Sequence, residues 1–138
     1  MKEQAKKLPD TNVILRYLLA DEPRLHEKAK NLFEKVRVGE ERVIIPESVL
    51  VECVYVLTKF YKVPKEEVSV RLQELLHYKG ITNNDKSELI EALTIFVSNP
   101  PLDIVDCILC AKAKGYDMEL STFDERLEKR KTSIEEKK

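Results

Sequence analysis

The sequence predicts an α/β fold in which helices cover both faces of a short, mainly parallel sheet. Amphipathic helical patterns alternate with short β-branched segments along the chain, and this alternation favours parallel strand pairing. The length of 138 residues suits one domain and is too short for two ordinary ones. We therefore expect a single domain over residues 1–138, with a core at about 8–127 and a charged tail at 128–138.

The composition excludes several classes of protein. The 43% of hydrophobic residues and the net charge of −1 exclude a disordered chain, and they leave nucleic-acid binding to local patches. No apolar run approaches the ~18 residues of a membrane span, so no membrane partner is expected. Three scattered cysteines form no disulfide framework, which favours a reducing, cytoplasmic location.

The first half of the chain carries helical patterns around one strand pattern. Apolar residues recur at helical spacing over residues 12–20, and Glu22-Pro23 opens a second helix that ends near Gly39. The β-branched segment 42–45 predicts a buried strand. Two further helices are expected to run from Pro46 to Leu57 and from Pro64 to Tyr78.

The second half continues the alternation. Pro100-Pro101 breaks the chain, and Gly115 is expected as the C-cap of the helix that follows. The expected strands lie at 80–82, 117–121 and 132–134, and the expected helices at 85–97, 102–114 and 124–130.

Asp10 lies directly before Thr11 and Asn12 at the start of the first helix. All three are N-cap residue types, and helix capping is the more common role of an acid in this position. If Thr11 or Asn12 caps the helix, Asp10 is left for another role, such as a metal ligand. The segment before Asp10 is polar and ends in Pro9, which predicts a very short first strand because proline donates no ladder hydrogen bond.

Glu52 lies in the apolar segment 48–57. A helix that is apolar all round is buried, and an unpaired buried carboxylate is strongly unfavourable. The sequence leaves three interpretations of Glu52 open: a metal ligand, a buried ion pair with Arg16, or a position at a helix edge that contacts water.

Three further acids lie in the last third of the chain. Asp103 and Asp106 begin a helix at the spacing of a capping box, but Asp106 is flanked by apolar residues, which capping alone does not explain. Asp124 follows a predicted strand and is expected to cap the short helix after it. Each acid has a structural explanation. Taken together, they lie near predicted strand ends, where parallel sheets form their sites.

These acids predict a class of chemistry. Several carboxylates in one cleft need a counter-charge. Oxygen ligands without histidine favour Mg²⁺ or Mn²⁺ over Zn²⁺, and such an ion holds phosphate and activates water. The pattern therefore indicates phosphodiester hydrolysis.

Cys107 and Cys110 have C-x-x-C spacing inside an apolar helix. A zinc site needs two further soft ligands, and neither Cys53 nor the two histidines show a partnering spacing. We expect all three thiols to be buried core residues.

Four short motifs resemble those of the PIN domain, in particular the VapC-type toxins of toxin–antitoxin pairs. The motifs are Asp10-Thr11-Asn12 before an aliphatic helix, Glu52 in IPESVLVECVYVL, Asp106 in LDIVDCILCAKAKG, and Ser121-Thr122-Phe123-Asp124. They occur in order from about Asp10 to Leu127. The resemblance implies a three-layer α/β/α sandwich with a short, mainly parallel central sheet.

The resemblance also assigns roles by position. The expected catalytic residues and metal ligands are Asp10, Glu52, Asp106 and Asp124. The expected supporting polar residues are Thr11, Asn12, Asp103 and Thr122. The implied cofactor is Mg²⁺, with Mn²⁺ as a substitute. In the family a metal-activated water attacks phosphorus in line and leaves a 5′-phosphate and a 3′-hydroxyl.

The implied function is a cytoplasmic endoribonuclease toxin that cleaves single-stranded or structured RNA. VapC-like proteins usually form homodimers and are inhibited by an antitoxin whose C-terminal segment lies across the site. Two alternatives remain open from the sequence. One is an RNA-processing PIN nuclease without an antitoxin, and the other is a non-catalytic PIN-like module that acts through dimerisation or partner binding.

Overall fold

The computed structural model describes residues 6–129 of the chain. It divides into two compact units, Met1–Lys86 and Ser87–Lys138, which are described separately. The predicted edge strand at 132–134 and most of the predicted charged tail lie outside the described residues. Between residues 6 and 129, no helix is long and apolar enough to cross a membrane.

Within residues 6–85 the first unit contains four α-helices, and the ends of the first two follow local capping rules. Asp10 caps α1, and Ala20 ends it in the left-handed conformation with φ 52°. Pro23 occupies the first turn of α2, and Gly39 ends that helix at φ 87°, as expected for a glycine C-cap. The helices are α1 Thr11–Leu19, α2 Pro23–Val38, α3 Glu47–Tyr55 and α4 Lys65–Leu76.

A π-helix, Val56–Phe60, continues α3 without a break. The helix that the sequence predicts from Pro46 to Leu57 is therefore wrong at its end, because the chain widens into a π-turn after Tyr55. The backbone N–H of Tyr61 donates to the carbonyl of Val56 at 3.1 Å, and the Thr58 hydroxyl donates to the carbonyl of Val54 at 2.7 Å. The Thr58 bond competes with the regular backbone pattern of the helix at this transition.

The strand pairing in the first unit is confined to two isolated parallel bridges within the described residues. Val43 pairs with Lys7 on one side and with Ile81 on the other. The two segments predicted as strands at 42–45 and 80–82 therefore meet in parallel, each through one bridged residue. Lys7 is the last residue to pair before Pro9, which has no N–H to donate.

The core of the first unit lies under the inner faces of its helices. Ile14 of α1, Phe33 of α2 and Leu72 of α4 are buried to 1% exposure or less. Val43 and Ile81, which pair with each other, are also buried. The packing of these apolar faces fixes α1 and α3 in the positions from which the candidate site is built.

Helix α5 is Lys86–Ser98, and its residues from Ser87 onward belong to the second unit. This unit also contains α6, Ile104–Gly115, and the helical residues 125–129. Two predictions for this unit are wrong. Gly115 is the last residue of α6 rather than its C-cap, which is Tyr116. Residues 117–121 form no strand, because the chain turns at Asp117, which has φ 55°.

The three cysteines are buried and form no disulfide. This confirms the expectation of core thiols. Burial, together with the neighbouring charge of Glu52, raises the pKa of the Cys53 thiol to about 12.

Candidate functional site

Asp10 is itself the N-cap of α1. Its backbone is extended, and its Oδ1 atom accepts a hydrogen bond from the backbone N–H of Val13 at 3.1 Å. The interpretation in which Thr11 or Asn12 caps the helix is therefore wrong, because Thr11 is already the first helical residue. The Asp10 carboxylate is exposed, and capping involves only one of its two oxygens.

Asp10 and Glu52 line the same open pocket in the first unit. The pocket has a volume of about 330 Å³ and lies between the start of α1 and the first two turns of α3. Its lining residues are Asp10, Thr11, Asn12, Ser48, Val49 and Glu52. The structure thus brings together two of the predicted acids and two of the predicted supporting residues.

The buried interpretations of Glu52 are wrong and the water-contacting helix edge is confirmed, because Glu52 is exposed. Helix α3 buries Leu50, Cys53 and Val54, whereas Ser48 and Glu52 lie one turn apart on an exposed stripe. Apolar neighbours in the sequence therefore do not surround the carboxylate in space. The proposed pairing with Arg16 is also wrong, since the Arg16 guanidinium binds Asp21 and Tyr61.

Asp103 and Asp106 form the capping box of α6 in the second unit. The backbone N–H of Asp106 donates to Asp103 Oδ1 at 2.9 Å, and the backbone N–H of Asp103 donates to Asp106 Oδ2 at 3.3 Å. The capping role predicted for this pair is confirmed. Asp106 is half-buried and Asp103 is exposed, so the two carboxylates differ in their access to water.

Asp124 caps the helical segment at residues 125–129, as the sequence predicts. Its Oδ1 atom accepts hydrogen bonds from the backbone N–H groups of Arg126 at 2.9 Å and Leu127 at 3.3 Å. The Thr122 hydroxyl oxygen accepts from the backbone N–H of Asp124 at 3.0 Å. Thr122 therefore supports the backbone that positions the Asp124 carboxylate.

The acids of the second unit influence one another electrostatically. Burial raises the pKa of the Asp106 carboxyl above its ordinary value, against a lowering by the backbone N–H of Asp103. The negative charges of Asp103 and Asp124 raise the pKa of Asp106 further. A nearby cation would reverse this effect, because it favours the ionised carboxylate.

The donor set of the pocket suits a small, hard cation. Asp10 and Glu52 supply carboxylate oxygens, and Thr11, Asn12 and Ser48 add further oxygens, with no sulfur or imidazole ligand in the lining. Mg²⁺ is commonly bound through one or two carboxylates, with water and phosphate completing its shell. Across the described residues, no three His, Cys, Asp or Glu side chains are grouped so that they could hold a metal ion. The fit of a metal ion to this pocket therefore depends on the carboxylates of Asp10 and Glu52.

Two features of the site region were missed in the sequence analysis. Ser48 lines the pocket. It could have been found from the sequence, because it lies one helical turn before Glu52 and therefore on the same face of α3. Tyr61 binds Arg16 across a separation of 45 residues, for which no local pattern gives a signal.

Comparison with known proteins shows which family the chain belongs to. The chain matches the PIN domain family over residues 7–132. It is 29% identical over 124 residues to a VapC ribonuclease of Aquifex aeolicus (strain VF5), a match that covers 89% of this chain and 90% of that protein. No solved structure matches. Because the family match spans nearly the whole chain, this protein belongs to the PIN domain family, whose fold is α/β.

Proposed function

We propose that this protein is a metal-dependent endoribonuclease of the toxin type. The observation that carries the proposal is the placement of Asp10, the N-cap of α1, and Glu52 of α3 in one open pocket of a PIN domain. The similarity to a VapC ribonuclease supports RNA as the substrate. The two parallel bridges at Val43 support parallel strand pairing in a short central sheet.

In the first unit we propose Asp10 and Glu52 as metal ligands, and in the second unit we propose Asp106 and Asp124. The exposed carboxylates of Asp10 and Glu52 are open to an ion from solvent. The raised pKa of Asp106 reflects crowding by burial and like charges, which a bound cation relieves. Asp103 keeps its capping role, and Thr11, Asn12 and Thr122 support the acids.

A bound Mg²⁺ or Mn²⁺ would lower the pKa of a water molecule and neutralise negative charge at the phosphate. Asp10 and Glu52 are the residues of the open pocket that would hold the ion, which would orient a phosphate of the RNA there. The net reaction is hydrolysis. An oxygen–phosphorus bond forms from water, and the bond from phosphorus to the 3′ oxygen breaks, so a 5′-phosphate and a 3′-hydroxyl remain.

The proposed partners follow from the same assignment. A toxin-type nuclease requires an antitoxin that covers the site, and we propose such a partner together with a homodimer of this chain. Three buried cysteines that form no disulfide are compatible with a reducing compartment, which supports a cytoplasmic location.

The test is cleavage of a mixed single-stranded RNA pool by purified protein in Mg²⁺, Mn²⁺ or EDTA. We expect products with 5′-phosphate ends in either metal, none in EDTA and none from Asp106→Asn. Asp117→Asn is the matched control, because this exposed residue of the second unit lies in the left-handed region that asparagine tolerates. Absence of cleavage by folded, partner-free wild type would favour the non-catalytic binding module. Equal cleavage by Asp106→Asn would show that the site is misassigned.

A further inference from the structure

The Arg16 side chain joins three segments of the first unit. Its Nη1 atom donates to both carboxylate oxygens of Asp21, at 2.9 and 3.0 Å, and its Nη2 atom donates to the Tyr61 hydroxyl at 3.0 Å. The side chain is only 16% exposed. Its Nε atom is buried without a hydrogen-bond partner among the described residues, so the guanidinium keeps these contacts despite an unsatisfied donor.

The two helices joined by this contact are the ones that line the carboxylate pocket. Arg16 lies in the last turn of α1, about 9 Å along the helix axis from its N-cap, Asp10. Tyr61 directly follows the π-helix that continues α3, the helix that carries Glu52. The Arg16–Tyr61 hydrogen bond therefore fastens α1 to the extension of α3 at a distance from the pocket.

The π-helix is part of this connection. Pi-helical turns are rare and occur often near functional sites. Here the wide turn sets the direction in which Tyr61 leaves the helix, since its backbone N–H bonds to Val56 five residues earlier. The Tyr61 ring also packs edge-on against Phe60, with centroids 4.9 Å apart, which leaves its hydroxyl in a defined place.

We propose that Arg16 and Tyr61 are positioning residues that set the separation of the Asp10 and Glu52 carboxylates. The inference rests on the proposed function, because that separation matters only if the two acids share a ligand. Neither Arg16 nor Tyr61 lines the pocket itself. Functional groups need to be held within about 0.5 Å of their working geometry, and a tie between the two supporting helices contributes to that precision.

The test compares two substitutions that break different contacts of the same guanidinium. Tyr61→Phe removes only the hydroxyl that accepts from Arg16 and keeps the ring against Phe60. Asp21→Asn removes the ion pair of Arg16 and leaves the Tyr61 contact in place. Each variant is measured for kcat and KM on RNA, for Mn²⁺ affinity, for stability, and for hydrogen exchange at the Val13 amide, which donates to Asp10.

We expect Tyr61→Phe to lower kcat about tenfold with little change in KM, to weaken Mn²⁺ binding severalfold and to speed exchange at Val13. Asp21→Asn is expected to stay within about twofold of wild type in kcat and Mn²⁺ affinity, even if it loses as much stability as Tyr61→Phe does. Wild-type behaviour of Tyr61→Phe would overturn the inference. Parallel losses in both variants, in proportion to stability, would overturn it as well.

The failure of this inference is distinguishable from failure of the proposed function. If the wild type neither cleaves RNA nor binds Mn²⁺, the proposed function fails. Hydrogen exchange at Val13 needs neither substrate nor metal, so it still decides whether the Arg16–Tyr61 contact holds the start of α1 in place. Unchanged exchange in Tyr61→Phe would then overturn the inference on its own.

Discussion

The guanidinium of Arg16 donates a hydrogen bond to the hydroxyl of Tyr61 at 3.0 Å, and this contact connects α1 to the chain that leaves α3. The bond to Tyr61 is the main cause of the raised pKa of Arg16, to which the charge of Asp21 adds against the opposing effect of burial. Because the donor is charged and the acceptor is half-buried, this hydrogen bond stabilises the fold in addition to connecting the two segments.

Replacing Tyr61 by Phe is expected to lower the free energy of unfolding by about 1 kcal/mol, the usual net contribution of one hydrogen bond. The loss is modest because the guanidinium keeps its two bonds to Asp21. Urea unfolding of the variant beside wild type measures it. An unchanged midpoint would show that the contact contributes nothing to stability.

Asp10 combines helix capping with its proposed role as a ligand, and two substitutions separate these roles. Asparagine is as good an N-cap as aspartate, so Asp10→Asn is expected to keep its stability within a few tenths of a kcal/mol while abolishing cleavage. Asp10→Ala also loses the hydrogen bond from Val13, at a cost of about 1 kcal/mol. Thermal unfolding and RNA cleavage of both variants check this. Full cleavage by Asp10→Asn would contradict the ligand role.

Asp106 is expected to destabilise the metal-free fold at neutral pH. Its pKa is raised in the folded state, so folding favours the protonated carboxyl, and the charged form costs stability at pH values above the folded-state pKa. This cost disappears as the pH falls through the folded-state pKa and below the ordinary value of 3.8. Asp106→Asn should therefore be more stable than wild type at pH 7 in EDTA, with a difference that shrinks on acidification.

The same substitution keeps a side-chain oxygen that can accept from the Asp103 N–H, so the capping box is preserved. Unfolding measured in EDTA from pH 7 downward checks the prediction. A variant that is less stable than wild type at pH 7 would contradict it.

Gly80 is expected to tolerate no side chain. A Cβ atom there would lie 2.1 Å from the carbonyl oxygen of Glu41 and 2.7 Å from that of Val36, and both are backbone atoms. We expect Gly80→Ala to lose about 3 kcal/mol, the upper part of the usual range for overpacking. At Gly115 a Cβ would instead meet the flexible side chain of Glu88, at 2.9 Å, so Gly115→Ala is the control and should stay within about 1 kcal/mol of wild type. Equal losses in urea unfolding would contradict this account.

A homodimer is expected because the first unit exposes large apolar side chains. Phe60 is 75% exposed and Val70 is 54% exposed, and Tyr55 is also exposed. Self-association covers such groups. Light scattering at micromolar concentration is expected to give the mass of two chains. A mass near 16.0 kDa would contradict the prediction.

The helices were predictable from the sequence because their signals are local. Pro23 and Gly39 mark the ends of α2, and the spacing of Asp103 and Asp106 marks the start of α6. The predicted strand at 117–121 was wrong because alternation over a few residues does not show whether a partner strand lies alongside. Strand pairing at Val43 instead depends on residues far away in the chain, Lys7 and Ile81.

Part of the lining of the candidate pocket was predictable from the sequence, but the environment of its acids was not. Asp10 and Glu52 were both named from the sequence, and they do line one pocket. The burial of Glu52 was wrong because an apolar sequence window does not show which helix face meets the core. The Arg16–Tyr61 contact was missed because its partners are 45 residues apart and meet only after the helices pack.

The central claim is that these carboxylates hold a divalent metal, and Mn²⁺ titration of the metal-free protein tests it most directly. We expect saturable binding by wild type that weakens at least tenfold in Asp10→Asn and in Glu52→Gln. Glu66→Gln and Asp117→Asn, which change exposed acids outside the predicted set, should bind as wild type does. Equal Mn²⁺ affinity in all five proteins, or none in wild type, would contradict the claim.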